Sequence, residues 1–167
     1  YMEMKVPDRA LESSHVIYGQ LLKENLIESY TAYKLSTVTS ETTGGDVIIA
    51  SVKLGGALDG HPNVVHGGIL ALLIDDILGF GYEALRVPAA VTANLNVNYR
   101  AAVPAGSLII VSATLVERNA RKLTWSVRVE SPDQQTLYCE ATSVFVIPRE
   151  AYAKILDSKG ANQEAAT

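Results

Sequence analysis

Along this chain the spacing of apolar positions changes twice, and each change marks a new kind of element. From Val16 to Ser29, apolar Ile17, Leu21, Leu22, Leu26 and Ile27 recur at helical spacing, with Lys23, Glu24 and Glu28 opposite, which predicts a short amphipathic helix. Tyr30 to Thr39 is rich in β-branched and aromatic residues, Thr43-Gly44-Gly45-Asp46 signals a turn, and Val47 to Leu54 continues, so a hairpin is expected. Gly55 to Val65, with Gly56, Gly60 and Pro62, reads as a loop. A run opening at His66-Gly67-Gly68 then stays apolar on every side until Asp75, which predicts a buried helix from about Gly67 to Leu85, closed by Pro88. From Val91 the period falls to two. Val91, Ala93, Leu95, Val97 and Tyr99 form one face of a strand, and Thr92, Asn94, Asn96, Asn98 and Arg100 form the polar other. Further strands are expected at Leu108 to Val116, Leu123 to Val129 and Leu137 to Ile147, separated by turns at Pro104-Ala105-Gly106, Glu117 to Arg121 and Ser131 to Gln134. Pro148 stops the last strand and Arg149 to Asp157 reads as a short terminal helix, with a loose arm at residues 1–14 and a frayed polar tail at 158–167.

Strands joined by short turns pair with their neighbours, so the expected fold is α+β, an antiparallel sheet of about six strands with one long helix packed on it. The expected organisation is a single domain over residues 1–167, with a core at about 30–148, an N-terminal helical arm at 1–29 and a C-terminal tail at 149–167. An uncovered sheet edge invites a second copy, so a homodimer, or a tetramer built on it, is the expected assembly. The apolar fraction of 48% and charged fraction of 19% suit an ordinary globular core. A net charge of −4 gives no support for nucleic-acid binding, and the apolar run at 69–74 is too short for a bilayer span. Cys139 is the one cysteine, so no internal disulfide can form and a reducing interior compartment is expected. The chain begins at Tyr1 with no visible presequence or secretion signal, which leaves a mitochondrial or cytoplasmic setting open.

The chemistry concentrates around the central helix. A buried carboxylate is costly unless paired, hydrogen-bonded or used, and two adjacent ones, Asp75 and Asp76, fall in this helix. Asp76 points about 100° away from Asp75, toward a structural or interface hydrogen bond. At the helix start, backbone N–H groups lack intrahelical partners and Gly67 permits close approach, which makes a donor site for an oxygen gaining negative charge. Asp75 lies about 12 Å further along the axis, too far to serve that oxygen within its own helix. In a two-fold dimer the carboxylate of one copy can meet the helix start of the other. His61 and His66 have no third ligand at zinc spacing, no glycine-x-serine-x-glycine elbow is present, and Cys139 lies in an alternating strand without a plausible base at hand, so neither a metal nor a serine or cysteine nucleophile is expected.

His66-Gly67-Gly68, Asp75, and Thr92-Ala93-Asn94-Leu95-Asn96-Val97-Asn98-Tyr99 together resemble the hotdog-fold acyl-CoA thioesterases. Nearest is the group that includes mitochondrial thioesterase superfamily members 4 and 5 and the phenylacetate-pathway thioesterases. The resemblance runs over about residues 58–147 and takes in Arg121-Lys122 and the strand from Leu137 to Ser143. It implies hydrolysis of medium- to long-chain fatty acyl-CoA at a dimer interface, with coenzyme A as part of the substrate and no separate cofactor. By the same resemblance Asp75 is the general base or nucleophile and Thr92 helps hold the hydrolytic water. The Gly67 amide polarises the thioester carbonyl, and His66 hydrogen-bonds near it. Gly68 and Asn63 are expected at the substrate, and Arg121 and Lys122 are candidate contacts to coenzyme A phosphates. Several relatives carry asparagine six residues before the histidine, where this chain has Gly60. Two rival readings are a hotdog 3-hydroxyacyl dehydratase, pairing His61 or His66 with Asp75, and an inactive acyl-CoA-binding member of the fold.

Overall fold

The structure, a computed structural model, describes residues 2–4, 14–34, 46–87 and 89–154. Its main sheet runs β1 (Met2–Met4), β2 (Ile27–Lys34), β3 (Asp46–Leu54), β7 (Leu108–Asn119), β8 (Lys122–Glu130), β9 (Leu137–Val146) and β6 (Val91–Tyr99), each antiparallel to its neighbour. The one long helix among the described residues, α1 (Gly67–Ala84), lies against β2, β3, β6 and β7 on one face of that sheet. The chain therefore leaves the sheet after β3, crosses it as α1 and returns at the far edge as β6.

The helix forms where the run of apolar residues predicts it. Leu70, Leu73, Ile74, Ile77 and Leu78 are buried against the inward residues of the strands, among them Val52, Val111, Leu115, Leu123 and Trp125. Each such burial contributes about 1.5–3 kcal/mol. The indole of Trp125 fills the space beside Gly81. Not every side is enclosed, as the unbroken apolar run had suggested. Ile69, Leu72, Asp75 and Gly79 form a half-buried stripe along the flank next to β6.

The expected helix over Val16 to Ser29 is corrected. Only Val16–Leu21 is helical, as one π-helical turn begun by His15, and the chain then turns through Asn25 at φ 56. Ile27 already starts β2, because Ile27, Tyr30 and Ala32 alternate inward onto the core as that strand pairs with β3. At the N-terminus, Met2–Met4 pairs with β2 where a loose arm was expected, so the sheet begins well before residue 30. The loop expected at Gly55 to Val65 contains a small hairpin, β4 (Asp59–His61) with β5 (Val64–Val65), turned by Pro62 and Asn63. The strands expected at 108–116 and 123–129 are longer at their shared turn, while helix occupies 149–154. The part of the hairpin at 35–45, Pro88 and the tail from 155 lie outside the described residues.

Candidate functional site

Thr92 reaches the helix by way of a bulge. In the ladder with β9, Leu95, Val97 and Tyr99 face Ser143, Ala141 and Cys139, all inward residues. The register slips between Thr92 and Asn94, so that Thr92 faces buried Phe145 and Ala93 is the extra residue. Thr92, expected on the polar face by simple alternation, is thereby turned toward α1. Its hydroxyl donates to Asp75 Oδ1 at 2.6 Å.

The two carboxylates of α1 have different surroundings. Asp75 belongs to the half-buried stripe beside β6 and meets Thr92. Asp76 is the more deeply placed in polar packing: its Oδ2 accepts from Tyr18 at 2.7 Å and Tyr30 at 2.9 Å, with His15 Nε2 3.7 Å from Oδ1. Burial raises the Asp76 pKa, and the two tyrosine hydrogen bonds oppose that shift. Burial also lifts the hydroxyls of Tyr18 and Tyr30, so they remain donors. The sequence expectation that Asp76 has a structural role matches this geometry. The tyrosines themselves were not singled out, since they lie 58 and 46 residues from Asp76 in sequence.

At the other end of the helix, His66 is the N-cap, and its Nδ1 accepts the Gly68 N–H at 2.8 Å. That bond places the proton of a neutral His66 on Nε2, which is then a donor. It also occupies the Gly68 N–H, while the Gly67 N–H, first in the helix, has no intrahelical acceptor. Gly60 packs directly on the histidine, where a Cβ would stand 2.9 Å from both Cα and Cδ2 of His66. An asparagine side chain at position 60 has no room beside a histidine so placed. Asn63, at φ 61, shapes the neighbouring turn; its N–H donates to Asp59 Oδ2 and its carbonyl accepts from Ala105.

A cleft of about 340 Å³ opens at this helix start, walled by His61, Val64, Gly67, Leu70, Tyr99 and Val103. Tyr99, another residue sequence reasoning left unassigned, donates its hydroxyl to the Gly67 carbonyl at 2.8 Å. Arg121 and Lys122 lie at the opposite end of the sheet, where Lys122 pairs with Val146 and Val146 with Val91. One Arg121 nitrogen donates to the Ile147 carbonyl at 3.3 Å, and Lys122 is exposed. Cys139 is buried and its thiol is pushed up to about 11 by desolvation, so it stays protonated at neutral pH.

The sequence model of the thioesterase superfamily matches residues 62–138, which include the N-cap histidine, Gly67, Asp75 and Thr92. The chain is similar to acyl-coenzyme A thioesterase THEM4 of Bos taurus, 40% identical over 89 residues, which are 53% of this chain and 36% of the relative. It is similar also to acyl-coenzyme A thioesterase THEM5 of Homo sapiens, 33% identical over 93 residues, 55% of this chain and 37% of the relative. The chain thus spans well under half the length of these relatives. The crystal structure of a hypothetical thioesterase with coenzyme A from Streptococcus pneumoniae superposes with a TM-score of 0.62 at 20% identity, covering 76% of this chain and 96% of that one. The fold of that neighbour, a hotdog of antiparallel strands about a central helix, is the fold of this chain. No helix of the described residues is long and apolar enough to cross a membrane, and among them no three histidine, cysteine or acidic side chains gather as a metal site.

Proposed function

We propose that this chain hydrolyses the thioester of acyl-CoA, releasing a free acid and coenzyme A, at sites that each draw on two copies. The observation that carries the reading is the Thr92 hydroxyl on Asp75, held in the same helix whose N-terminal Gly67 opens into a cleft. Thr92 gives its single proton to Asp75, so its lone pairs are free to accept from a water molecule. The second oxygen of Asp75 can take a proton from that water, or attack the acyl carbon itself. In either case the carbon–sulfur bond breaks, the sulfur leaves with a proton as the coenzyme A thiol, and a water oxygen ends on the acyl carbon. The negative charge that develops on the carbonyl oxygen is met by the Gly67 N–H at the positive helix end, with the His66 Nε2–H beside it.

One copy holds these two halves apart. Gly67 sits at the Tyr99 end of β6, and Asp75 at the Thr92 end, about 12 Å further along the helix. Strand β6 is a sheet edge with Val91 57% and Tyr99 52% exposed. Two β6 edges paired about a two-fold axis run antiparallel, so the Tyr99 end of one faces the Thr92 end of the other. This homodimer joins Asp75 of one copy to Gly67 of its partner. The apolar walls Val64, Leu70 and Val103 favour a medium- to long-chain aliphatic acyl group, and Lys122 and Arg121 are the cations assigned to the coenzyme A phosphates. The reading is tested by following free thiol release from straight-chain and aromatic acyl-CoA substrates with the wild-type chain and with Asp75→Asn. Hydrolysis by the wild type that the variant loses supports it; a folded Asp75→Asn protein with wild-type turnover overturns it.

A further inference from the structure

The carbonyl of Gly67 receives a bond that helix geometry alone does not require. As the first residue of α1, Gly67 offers that carbonyl to the helix itself, and the Tyr99 hydroxyl adds a second donor at 2.8 Å from strand β6. The ring of Tyr99 also lies along Gly67. A Cβ at position 67 would stand 3.1 Å from Tyr99 Cζ and 3.2 Å from both Cε1 and the hydroxyl oxygen. The aromatic ring therefore occupies the side of Gly67 on which any other residue would carry its side chain. Within one copy Tyr99 is half exposed on an edge strand, and the hydroxyl bond to Gly67 orients its side chain.

The same strand thus braces both halves of the proposed site, through Thr92 to Asp75 at one end and through Tyr99 to Gly67 at the other. We propose that Tyr99 is a positioning residue for the Gly67 amide: its hydroxyl anchors the Gly67 carbonyl and so restrains the residue whose N–H, in the preceding peptide, is the donor, and its ring confines an incoming carbonyl to one approach. This rests on the thioesterase reading for its kinetic consequence but not for its structural one. The hydroxyl acts on the orientation of the donor and not on substrate affinity, so its loss falls on turnover. The ring is a wall of the cleft, so its loss falls on binding as well.

The test compares Tyr99→Phe, which keeps the ring and deletes the hydroxyl, with Tyr99→Ala, which deletes both. For Tyr99→Phe the expected result is kcat lowered about three- to tenfold, the range that one hydrogen bond commands, with KM within about twofold. Tyr99→Ala is expected to lower kcat similarly and raise KM. The Gly68 amide, in the peptide whose carbonyl accepts the Tyr99 bond, is followed by 15N NMR and is expected to shift in Tyr99→Phe. Wild-type kcat in Tyr99→Phe, a fall confined to KM, or an unmoved Gly68 resonance overturns the assignment. Absence of acyl-CoA hydrolysis by the wild-type chain overturns the thioesterase reading instead, and the Gly68 shift still decides for or against the clamp.

Discussion

The hydroxyl of Thr92 donates to the carboxylate of Asp75 at 2.6 Å, across a bulge that exists at no other position of β6. A residue that only fills a strand tolerates exchange for another of similar size; a residue that orients a base does not. Asp75→Asn is expected to lower kcat by about 10²–10⁴-fold, the contribution typical of a positioned base. Thr92→Val keeps the shape of the side chain and removes the donor, and is expected to cost roughly tenfold. Thr92→Ser keeps the donor and is expected within about threefold of wild type. Thiol-release kinetics on folded variants check the series, and equal rates for Thr92→Val and Thr92→Ser would return Thr92 to an ordinary strand position.

That bulge also explains what the sequence could and could not reveal. Alternation over Leu95, Val97 and Tyr99 locates β6 and its inward face correctly. Extended backwards without interruption, the same alternation puts Ala93 inward and Thr92 outward, which is one residue wrong. A bulge shifts every preceding side chain to the other face, and no glycine or proline at 92–94 marks it. The resemblance to known thioesterases pointed to Thr92 regardless of face, because it matches a spacing and not a geometry. The central helix was legible because the unbroken apolar run from Ile69 to Ile74 is followed by no proline until Pro88, which leaves few alternatives. The π-helical turn at Val16–Leu21 was not, since its leucines continue at helical spacing past Asn25, where the backbone turns left-handed and the chain enters β2. Tyr18, Tyr30 and Tyr99 were invisible as polar partners for the same physical reason: each finds its acceptor across the fold, at a separation no local pattern encodes.

Gly81 faces Trp125 so closely that a Cβ would stand 2.6 Å from the indole Cη2. The ring is fully buried and has no free direction in which to retreat. Gly81→Ala is therefore expected to destabilise the fold by about 1–3 kcal/mol through overpacking, against the small gain alanine ordinarily gives within a helix. Equilibrium unfolding in urea measures this. A stabilised Gly81→Ala protein would show that the helix and β8 can separate at no cost, contrary to the packing described.

Asp76 gives stability a pH dependence of known sign. Its pKa is raised in the folded chain by burial, against the partly offsetting bonds from Tyr18 and Tyr30; nearby His15 and Asp75 act in opposite directions. A carboxyl with a raised folded pKa holds its proton more tightly when folded than when unfolded. Its contribution to stability is then fully present below the unfolded carboxylate pKa and is lost as pH rises through the folded value. Asp76→Asn keeps an oxygen that can accept both tyrosine hydroxyls and carries no charge. The variant is expected to match the wild type in stability at acid pH and to gain on it as pH rises toward neutrality. Urea unfolding of both proteins from pH 4 to pH 8 checks the sign. A variant that loses ground as pH rises would mean that the Asp76 charge stabilises the fold.

The proposed two-copy site makes a prediction that no single-chain mechanism shares. Gly67 is the first residue of α1, the position where proline is best tolerated, and His66 before it is already extended at φ −61 and ψ 129, as a residue preceding proline prefers. Gly67→Pro thus removes the one N–H assigned to the oxyanion at a position where a helix tolerates proline, and its Cβ requires a few tenths of an ångström of movement in the Tyr99 ring; circular dichroism checks that the variant is folded. Alone, Gly67→Pro and Asp75→Asn are each expected to be nearly inactive. Mixed in equal amounts, unfolded and refolded together, half of the dimers carry one chain of each kind. Such a dimer has one site with both lesions and one site with neither, since the intact Asp75 and the intact Gly67 come from different chains. The mixture is expected to recover about a quarter of wild-type activity. Were Asp75 and Gly67 to act within one chain, every site in every dimer would carry a lesion, and the mixture would stay as inactive as its parents.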